Sequence, residues 1–251
     1  MIEFPNAKIN LGLNVVEKRT DGYHNIESNF YPVFDVFDVL EIVKSNELIF
    51  SSSGFLIPGE PKSNLCLRAY QLLKTDYSIS PVFIHLHKSI PIGAGLGGGS
   101  SDAAFTLKLL NKIFELKLSD SELIEYARKL GSDCAFFIKN SPVYAFGKGD
   151  EFEPVSLDLS NYNIKIEYPN IHIGTAEAYA GVTPKQSVTS VKEAIHLPIS
   201  EWRNVLKNDF EDSIFPNHPQ IKSVKEKFYS EGALYASMTG SGSAVFGIFK
   251  K

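Results

Sequence analysis

An α+β fold follows from three features of the 251-residue sequence. Stretches of strict apolar–polar alternation, such as Lys8 to Val16 and Val82 to His87, predict half-buried strands. Stretches with apolar residues at helical spacing, such as Leu65 to Leu73 and Ala103 to Leu110, predict helices. The two kinds are mixed without a regular strand–helix–strand rhythm, which argues against a doubly wound sheet. The length suits one large domain or two small ones. Composition lies near the globular average, with 43% hydrophobic and 22% charged residues. This excludes a collagen-like, coiled-coil or disordered chain. The net charge of −4 leaves no broad basic footprint for nucleic acid, although it permits a local cationic pocket.

Two cysteines far apart, Cys66 and Cys134, support neither a disulfide framework nor a Cys-rich zinc site. Met1 to Pro5 lacks the basic region and apolar run of a signal peptide. No stretch approaches ~18 consecutive apolar residues. The expectation is a soluble cytoplasmic protein with no membrane partner.

Along the chain, Ile9, Leu11, Leu13 and Val15 point to one side of the first strand, with one buried face expected. Lys8, Asn10, Gly12 and Asn14 share the other, polar face. Asp21-Gly22 marks a turn. Phe30 to Val43 reads as one or two strands, and Glu47 to Ser51 as another. Asn64 caps a helix with Leu65, Ala69, Leu72 and Leu73 on its apolar face. The strand Val82 to His87 leads into a glycine-rich loop, and Asp102 to Phe114 reads as a buried helix. Ser119 with Glu122 forms a capping box for a helix ending near Gly131. Asp133 opens the short apolar segment Cys134 to Ile138. Pro142 to Val155 reads as a hairpin around Gly147 to Asp150, and Ile164 to Glu167 as a strand. Helical segments follow near Thr175–Ala180, Ser200–Leu206 and His218–Tyr229. The chain closes on a strand from Ala244 to Phe249, after the Gly-Ser-rich loop Thr239 to Ser243. A domain boundary is expected at residues 150–160, giving an N-terminal domain 1–155 and a C-terminal domain 156–251.

Five of the 18 glycines lie between Gly93 and Gly99. The loop reads Pro91-Ile92-Gly93-Ala94-Gly95-Leu96-Gly97-Gly98-Gly99-Ser100-Ser101, between a strand and a helix. Residues without side chains let the backbone approach a ligand and adopt positive φ. Converging N–H groups and a helix start then favour an anion, phosphate above all. No Gly-Lys-Ser/Thr follows, so this is not a Walker A loop. Gly93-Ala94-Gly95 offers the start of a dinucleotide fingerprint, a signal that is weak alone.

Pro91 to Ala104 resembles the phosphate loop of the GHMP kinase superfamily. Pro5-Asn6-Ala7-Lys8-Ile9-Asn10-Leu11 resembles its N-terminal motif, and Met238 to Gly247 its C-terminal glycine motif, in the right order. Asp21-Gly22-Tyr23-His24 and Leu130-Gly131-Ser132-Asp133 resemble the branch whose acceptor is a cytidylyl ester of methylerythritol, in the non-mevalonate route to isoprenoids. The resemblance spans residues 5 to 249. Asn6 is a departure, since the family usually reads Pro-Ala-Lys. Ser132 and Cys134-Ala135 also replace commoner residues around the aspartate.

The resemblance implies a ribosomal-S5-domain-2-like N-terminal half, a ferredoxin-like α+β C-terminal half and an active site between them. It implies transfer of the ATP γ-phosphoryl to a hydroxyl, with Asp133 accepting the hydroxyl proton and Lys8 orienting Asp133 and stabilising charge. Phosphoryl transfer has a loose transition state, so positioning outweighs basicity. Tyr23, His24 and Tyr179 are implied to hold the cytosine, two by stacking and His24 by its polar edge. Asn10, Thr175, Gly240 and Ser241 complete the acceptor site. Asn64 and Leu65 resemble the adenine-contacting region, where Asn64 can equally be an ordinary cap. Ser100 and Ser101 can donate to phosphate or to water on Mg²⁺, which ATP chemistry calls for. No cluster names the Mg²⁺ ligands. His85 and His87 share a strand face without a third ligand and read as structural. A monomer or weak homodimer is expected. The rivals are a homoserine or mevalonate kinase, which the Tyr23-His24 pair disfavours, a non-catalytic regulator, which intact Lys8 and Asp133 disfavour, and an RNA-binding protein, which the charge disfavours.

Overall fold

The first five strands are β1 (Ile2–Glu3), β2 (Asn6–Lys18), β3 (His24–Phe37), β4 (Val39–Lys44) and β5 (Ile49–Gly54). Helix α1 (Leu65–Asp76), strand β6 (Val82–Lys88), and helices α2 (Gly98–Ile113), α3 (Asp120–Arg128) and α4 (Phe136–Lys139) follow. Then come β7 (Val143–Phe146), β8 (Glu151–Pro154) and β9 (Tyr162–Glu167). Helices α5 (Thr175–Ala180), α6 (Val191–Ala194), α7 (Ile199–Val205), α8 (Glu211–Asn217) and α9 (Pro219–Ser230) precede β10 (Tyr235–Met238) and β11 (Val245–Lys250). The structure, a computed structural model, describes residues 1–185 and 189–251. It divides into two compact units. The first comprises Met1–Ala7, Pro32–Ile92 and Gly97–Ser141; the second comprises Lys8–Tyr31, Gly93–Leu96 and Pro142–Lys251.

In the first unit a four-stranded sheet has the order β1-β4-β6-β5, with β5 parallel to β6 and the other pairs antiparallel. Its inner face presents Leu40, Ile42, Ile84 and Leu86, all buried. Helices α1 and α2 pack on one another and bury Ala69, Tyr70, Leu73, Ala103, Leu107 and Leu110. Full burial of one such large apolar side chain stabilises by ~1.5–3 kcal/mol. The expected caps form: Asn64 Oδ1 accepts from the Cys66 N–H at 2.9 Å, and Ser119 and Glu122 make the reciprocal capping box. Helix α2 begins at Gly98, earlier than the Asp102 start expected from sequence. Tertiary packing of its buried face overrides the low helix propensity of glycine, ~1 kcal/mol per residue.

Asn6, the departure from the family motif, is buried in this unit. Its amide and that of Asn140 bond reciprocally, at 2.6 and 3.3 Å, and Asn6 Nδ2 also reaches the Ala7 carbonyl at 2.9 Å. Asn140 closes α4 in the left-handed conformation that asparagine tolerates. Asn6 is therefore a satisfied core amide.

The second unit holds most of the sheet β2-β3-β7-β8 and all of the sheet β10-β11-β9. Its core gathers Leu13, Val15, Ile173, Phe210, Ile214, Phe228, Met238 and Val245. The hairpin β7–β8 pairs as expected, Val143 opposite Pro154. One expectation is corrected. Strand β2 is buried on both faces, with Lys8, Asn10 and Asn14 each at most 5% exposed. Its polar face is covered instead of hydrated, and Lys8 and Asn10 on it are hydrogen-bonded. Strands β1 and β10 and helix α6 escape sequence reading because two to four residues are too few to establish a period, and α8 is masked by Pro216 inside it. No helix among the described residues is long and apolar enough to cross a membrane.

Candidate active site

The two glycine motifs meet in the second unit. A Cβ on Gly95 would lie 2.0 Å from the Thr239 carbonyl oxygen, and one on Gly240 would lie 3.0 Å from the Gly95 backbone. Both glycines have positive φ, 79° and 54°. Only residues without side chains allow this approach. Two hydrogen bonds hold it, Ala244 N–H to Ala94 O at 3.1 Å and Thr239 Oγ1 to Gly95 O at 3.2 Å, and Lys8 N–H to Leu96 O at 2.9 Å ties the loop to β2. Ala94 and Leu96 anchor the loop as buried residues, and Gly93 is exposed beside the His172 ring. Gly240 is buried and Ser241 half-buried at the same turn.

Lys8 and Asn10 stand together, as their shared strand face predicts. Lys8 Nζ donates to Asn10 Oδ1 at 2.6 Å and lies 4.6 Å from the centroid of the Phe30 ring. Asn10 Oδ1 also accepts from Thr239 Oγ1 at 3.1 Å, and Asn10 Nδ2 donates to Ser28 Oγ at 2.9 Å. The first strand is thus tied through Thr239 to the C-terminal glycine turn.

The aromatic residues divide. Tyr23 is 62% exposed, with the Lys148 ammonium 5.2 Å from its ring centroid. His24 and Tyr179 stack, with centroids 4.7 Å apart and planes 22° from parallel. Phe210 braces Tyr179 edge-on at 4.9 Å. Sequence reading kept these two rings as separate contacts; the fold joins them in one pile. Thr175 is exposed at the start of α5.

In the first unit, Pro91 and Ile92 are half-buried and lead out of β6. Gly97, at φ 72°, caps α2 without a side chain, so the first N–H groups of the helix have no side-chain acceptor from their cap. Gly98 is half-buried and Gly99 exposed in this first turn. The Ser101 hydroxyl is buried and makes no hydrogen bond among the described residues. Ser100 bonds the Cys134 thiol, whose burial pushes it up to about 11. Leu65 follows the Asn64 cap and lies 3.8 Å from where a Gly99 Cβ would be. Asp133 is half-buried in a single 3₁₀ turn, Ser132–Ala135, and accepts from the Ser132 hydroxyl at 3.4 Å.

Other polar groups were not singled out from sequence. Beneath the start of α2, Lys88 Nζ bonds both Asp38 and Asp102, the latter at 2.7 Å, and all three residues are buried. Lys88 keeps the inward parity of Val82, Ile84 and Leu86, and a lysine in that phase was a legible signal. Asn208 donates to the carbonyls of Met238 and Gly240 at 2.8 and 2.9 Å, holding the second glycine turn. Glu211 Oε1 accepts from Met238 N–H at 2.9 Å. His85 and His87, which the sequence does single out and reads as structural, are engaged by the hydroxyls of Ser51 and Ser53 at 2.7 to 3.1 Å.

The family described as GHMP kinases N terminal domain matches residues 64–141, and that described as GHMP kinases C terminal matches residues 190–251. A 4-diphosphocytidyl-2-C-methyl-D-erythritol kinase of Cytophaga hutchinsonii is 56% identical over 99% of this chain and 92% of its own. The crystal structure of a 4-(cytidine 5'-diphospho)-2C-methyl-D-erythritol kinase superposes with a TM-score of 0.85 at 31% identity, over 99% of this chain and 90% of its own. The L. major mevalonate kinase, solved with R-mevalonate, reaches 0.70 at 16% identity over 99% and 86%, a likeness of fold alone.

Proposed function

The chain belongs to the GHMP kinase family, and from that membership we propose that it transfers the ATP γ-phosphoryl to the 2-hydroxyl of 4-diphosphocytidyl-2-C-methyl-D-erythritol. The observation that carries this reading is the full-length identity of 56% to a kinase named for that substrate. The interlocked glycine motifs support it, because the second motif braces the loop through contacts only glycine permits. We take residues 1–155 as the ATP-binding domain of the sequence and 156–251 as the C-terminal domain, a division each family match respects, although residues 8–31, 93–96 and 142–155 pack in the same compact unit as 156–251.

In this reading the triphosphate lies along Pro91 to Ser101, held by backbone N–H groups and the start of α2. Asn64 and Leu65 meet the adenine. Asp133 takes the proton of the acceptor hydroxyl, and Lys8 stabilises the charge that develops during transfer. Asn10, Thr175, Gly240 and Ser241 border the acceptor, and Tyr23, His24 and Tyr179 grip its cytosine. The residues fit a magnesium ion carried mainly by the nucleotide. Among the described residues no three His, Cys, Asp or Glu side chains form a metal group, while the unpartnered Ser101 hydroxyl suits a phosphate oxygen or a metal-bound water. Such an ion neutralises phosphate charge when bound. The protein works in the cytoplasm as a monomer or weak homodimer, on small molecules and without nucleic acid or membrane.

ADP release measured with the cytidylyl substrate, homoserine and mevalonate in parallel tests the assignment. Turnover is expected with the cytidylyl substrate alone, and equal activity with either rival overturns it. Within the grip, Tyr179→Ala is expected to weaken cytidylyl-substrate binding by ~10- to 100-fold, the range of one lost base stack, while ATP binding holds. Normal binding of that substrate by a folded variant contradicts the stacking role.

A further inference from the structure

The Lys88–Asp38–Asp102 cluster lies outside every role assigned above, and its charges do not balance. Two buried carboxylates face one ammonium. Their hydrogen bonding is unequal. Asp38 accepts from Lys88 and from the N–H groups of Ser89 at 2.6 Å and Ile90 at 2.8 Å. The Asp102 carboxyl accepts from Lys88 as its one cationic or N–H donor and meets the Asp38 carboxyl, and its Oδ1 has no hydrogen bond among the described residues. Three donors stabilise a carboxylate on Asp38 far better than one does on Asp102.

The cluster is set under the start of α2. Asp102 belongs to the second turn of α2, and a Cβ on Gly98, the first residue of that helix, would lie 3.2 Å from Lys88 Nζ. Its net charge is therefore felt where the helix start meets an anion. The groups facing Asp102 are Lys88 from β6, Asp38 from the β3–β4 corner and Cys66 from α1. The Cys134 thiol of the neighbouring 3₁₀ turn is committed to Ser100.

We propose that Asp102 is a positioning residue that holds the phosphate loop as an uncharged acid, and that its ionisation weakens triphosphate binding. This rests on the reading of Pro91 to Ser101 as the ATP triphosphate site. Burial pushes the Asp102 carboxyl up to about 8, aided by Asp38 and opposed by Lys88. Below that value the cluster is neutral, with Lys88 balanced by Asp38. Above it a buried negative charge stands behind the helix start and opposes the triphosphate. The sign for stability is the same: the folded state keeps a proton that the unfolded chain releases near pH 4. Stability from this group is full below that pH and is lost as pH rises toward 8.

The test is equilibrium titration of the full chain with Mg-ATP at pH 7 and pH 9, with thermal midpoints at both. Wild type is expected to bind on the order of tenfold more weakly at pH 9. Asp102→Asn, an uncharged isostere, is expected to bind within ~3-fold of the pH 7 wild-type value at both pH values. It should also abolish the alkaline fall in midpoint that Asp102 causes. An Asp102→Asn protein with the same pH dependence of ATP binding as wild type overturns the proposal. A merely structural Asp102 would move the midpoint and leave the pH profile of binding intact. The titration needs no acceptor, so a wrong acceptor assignment leaves its outcome readable. Absence of ATP binding at both pH values overturns the triphosphate reading as well.

Discussion

Asp133→Asn and Lys8→Met are each expected to lower kcat by ~10³-fold or more, with the thermal midpoint held within a few degrees. The first change keeps the shape of a half-buried side chain in the Ser132–Ala135 turn and removes its capacity to take a proton. The second keeps most of the apolar stem of a residue only 3% exposed. A methionine of similar length does not carry the cost of keeping an ammonium out of water, which offsets the lost bond to Asn10. The Phe30 ring beside Lys8 can pack against the thioether as it packs against the ammonium. Asn10 keeps its bonds to Thr239 and Ser28 in that variant. A loss of turnover is therefore chemical, and ADP release beside a melting curve separates it from unfolding. Near-wild-type turnover by either variant removes that residue from the mechanism.

The parts of this molecule that were legible in sequence are those in which local chemistry forces the structure. Ser119 and Glu122 make a cap whatever lies around them. Gly95 and Gly240 are required by backbone contact, and clusters of glycine record such contact directly. The alternation from Lys8 to Val16 placed Lys8 and Asn10 on one face correctly. It missed that this face is buried, because its cover comes from Thr239, 229 residues away from Asn10. The inward phase of Lys88 is legible in β6, but its partners are not: Asp38, Lys88 and Asp102 meet only after β6 and α2 have packed. Asn208 and Asp209 were silent because they sit in no periodic segment. There Asp209 accepts from the Val15 N–H at 2.9 Å, and Lys207 and Asp209 add backbone bonds to Leu13 at 2.8 Å, acting as a further edge for β2. The stack of His24 on Tyr179 likewise depends on α5 docking, which no spacing encodes.

Gly95→Ala and Gly99→Ala are expected to move stability in opposite directions, although both place one methyl group in the same loop. At Gly95 a left-handed conformation costs an alanine ~1–2 kcal/mol. The methyl would stand 2.0 Å from the Thr239 carbonyl, a backbone atom that cannot swing aside as a side chain can. The Thr239–Gly242 turn must then shift, which loosens the Ala244–Ala94 and Thr239–Gly95 hydrogen bonds, each worth ~0.5–1.5 kcal/mol. The sum is ~2–5 kcal/mol, and a chain of this size loses ~2–4 °C of midpoint per kcal/mol, so a fall of ~4–20 °C is expected. At Gly99 the methyl meets only Leu65, at 3.8 Å, inside a helix. Alanine there gains ~0.4–1 kcal/mol by helix propensity and reduced freedom of the unfolded chain. Because Gly99 is exposed in the first turn of α2, the same methyl obstructs approach of a phosphate to the backbone, and ATP affinity should fall while the midpoint rises. Melting curves and ATP titrations on the two variants read both quantities. An unchanged midpoint in Gly95→Ala would mean that the joined glycine motifs do not hold the loop, and unchanged ATP affinity in Gly99→Ala would remove that turn from the nucleotide site.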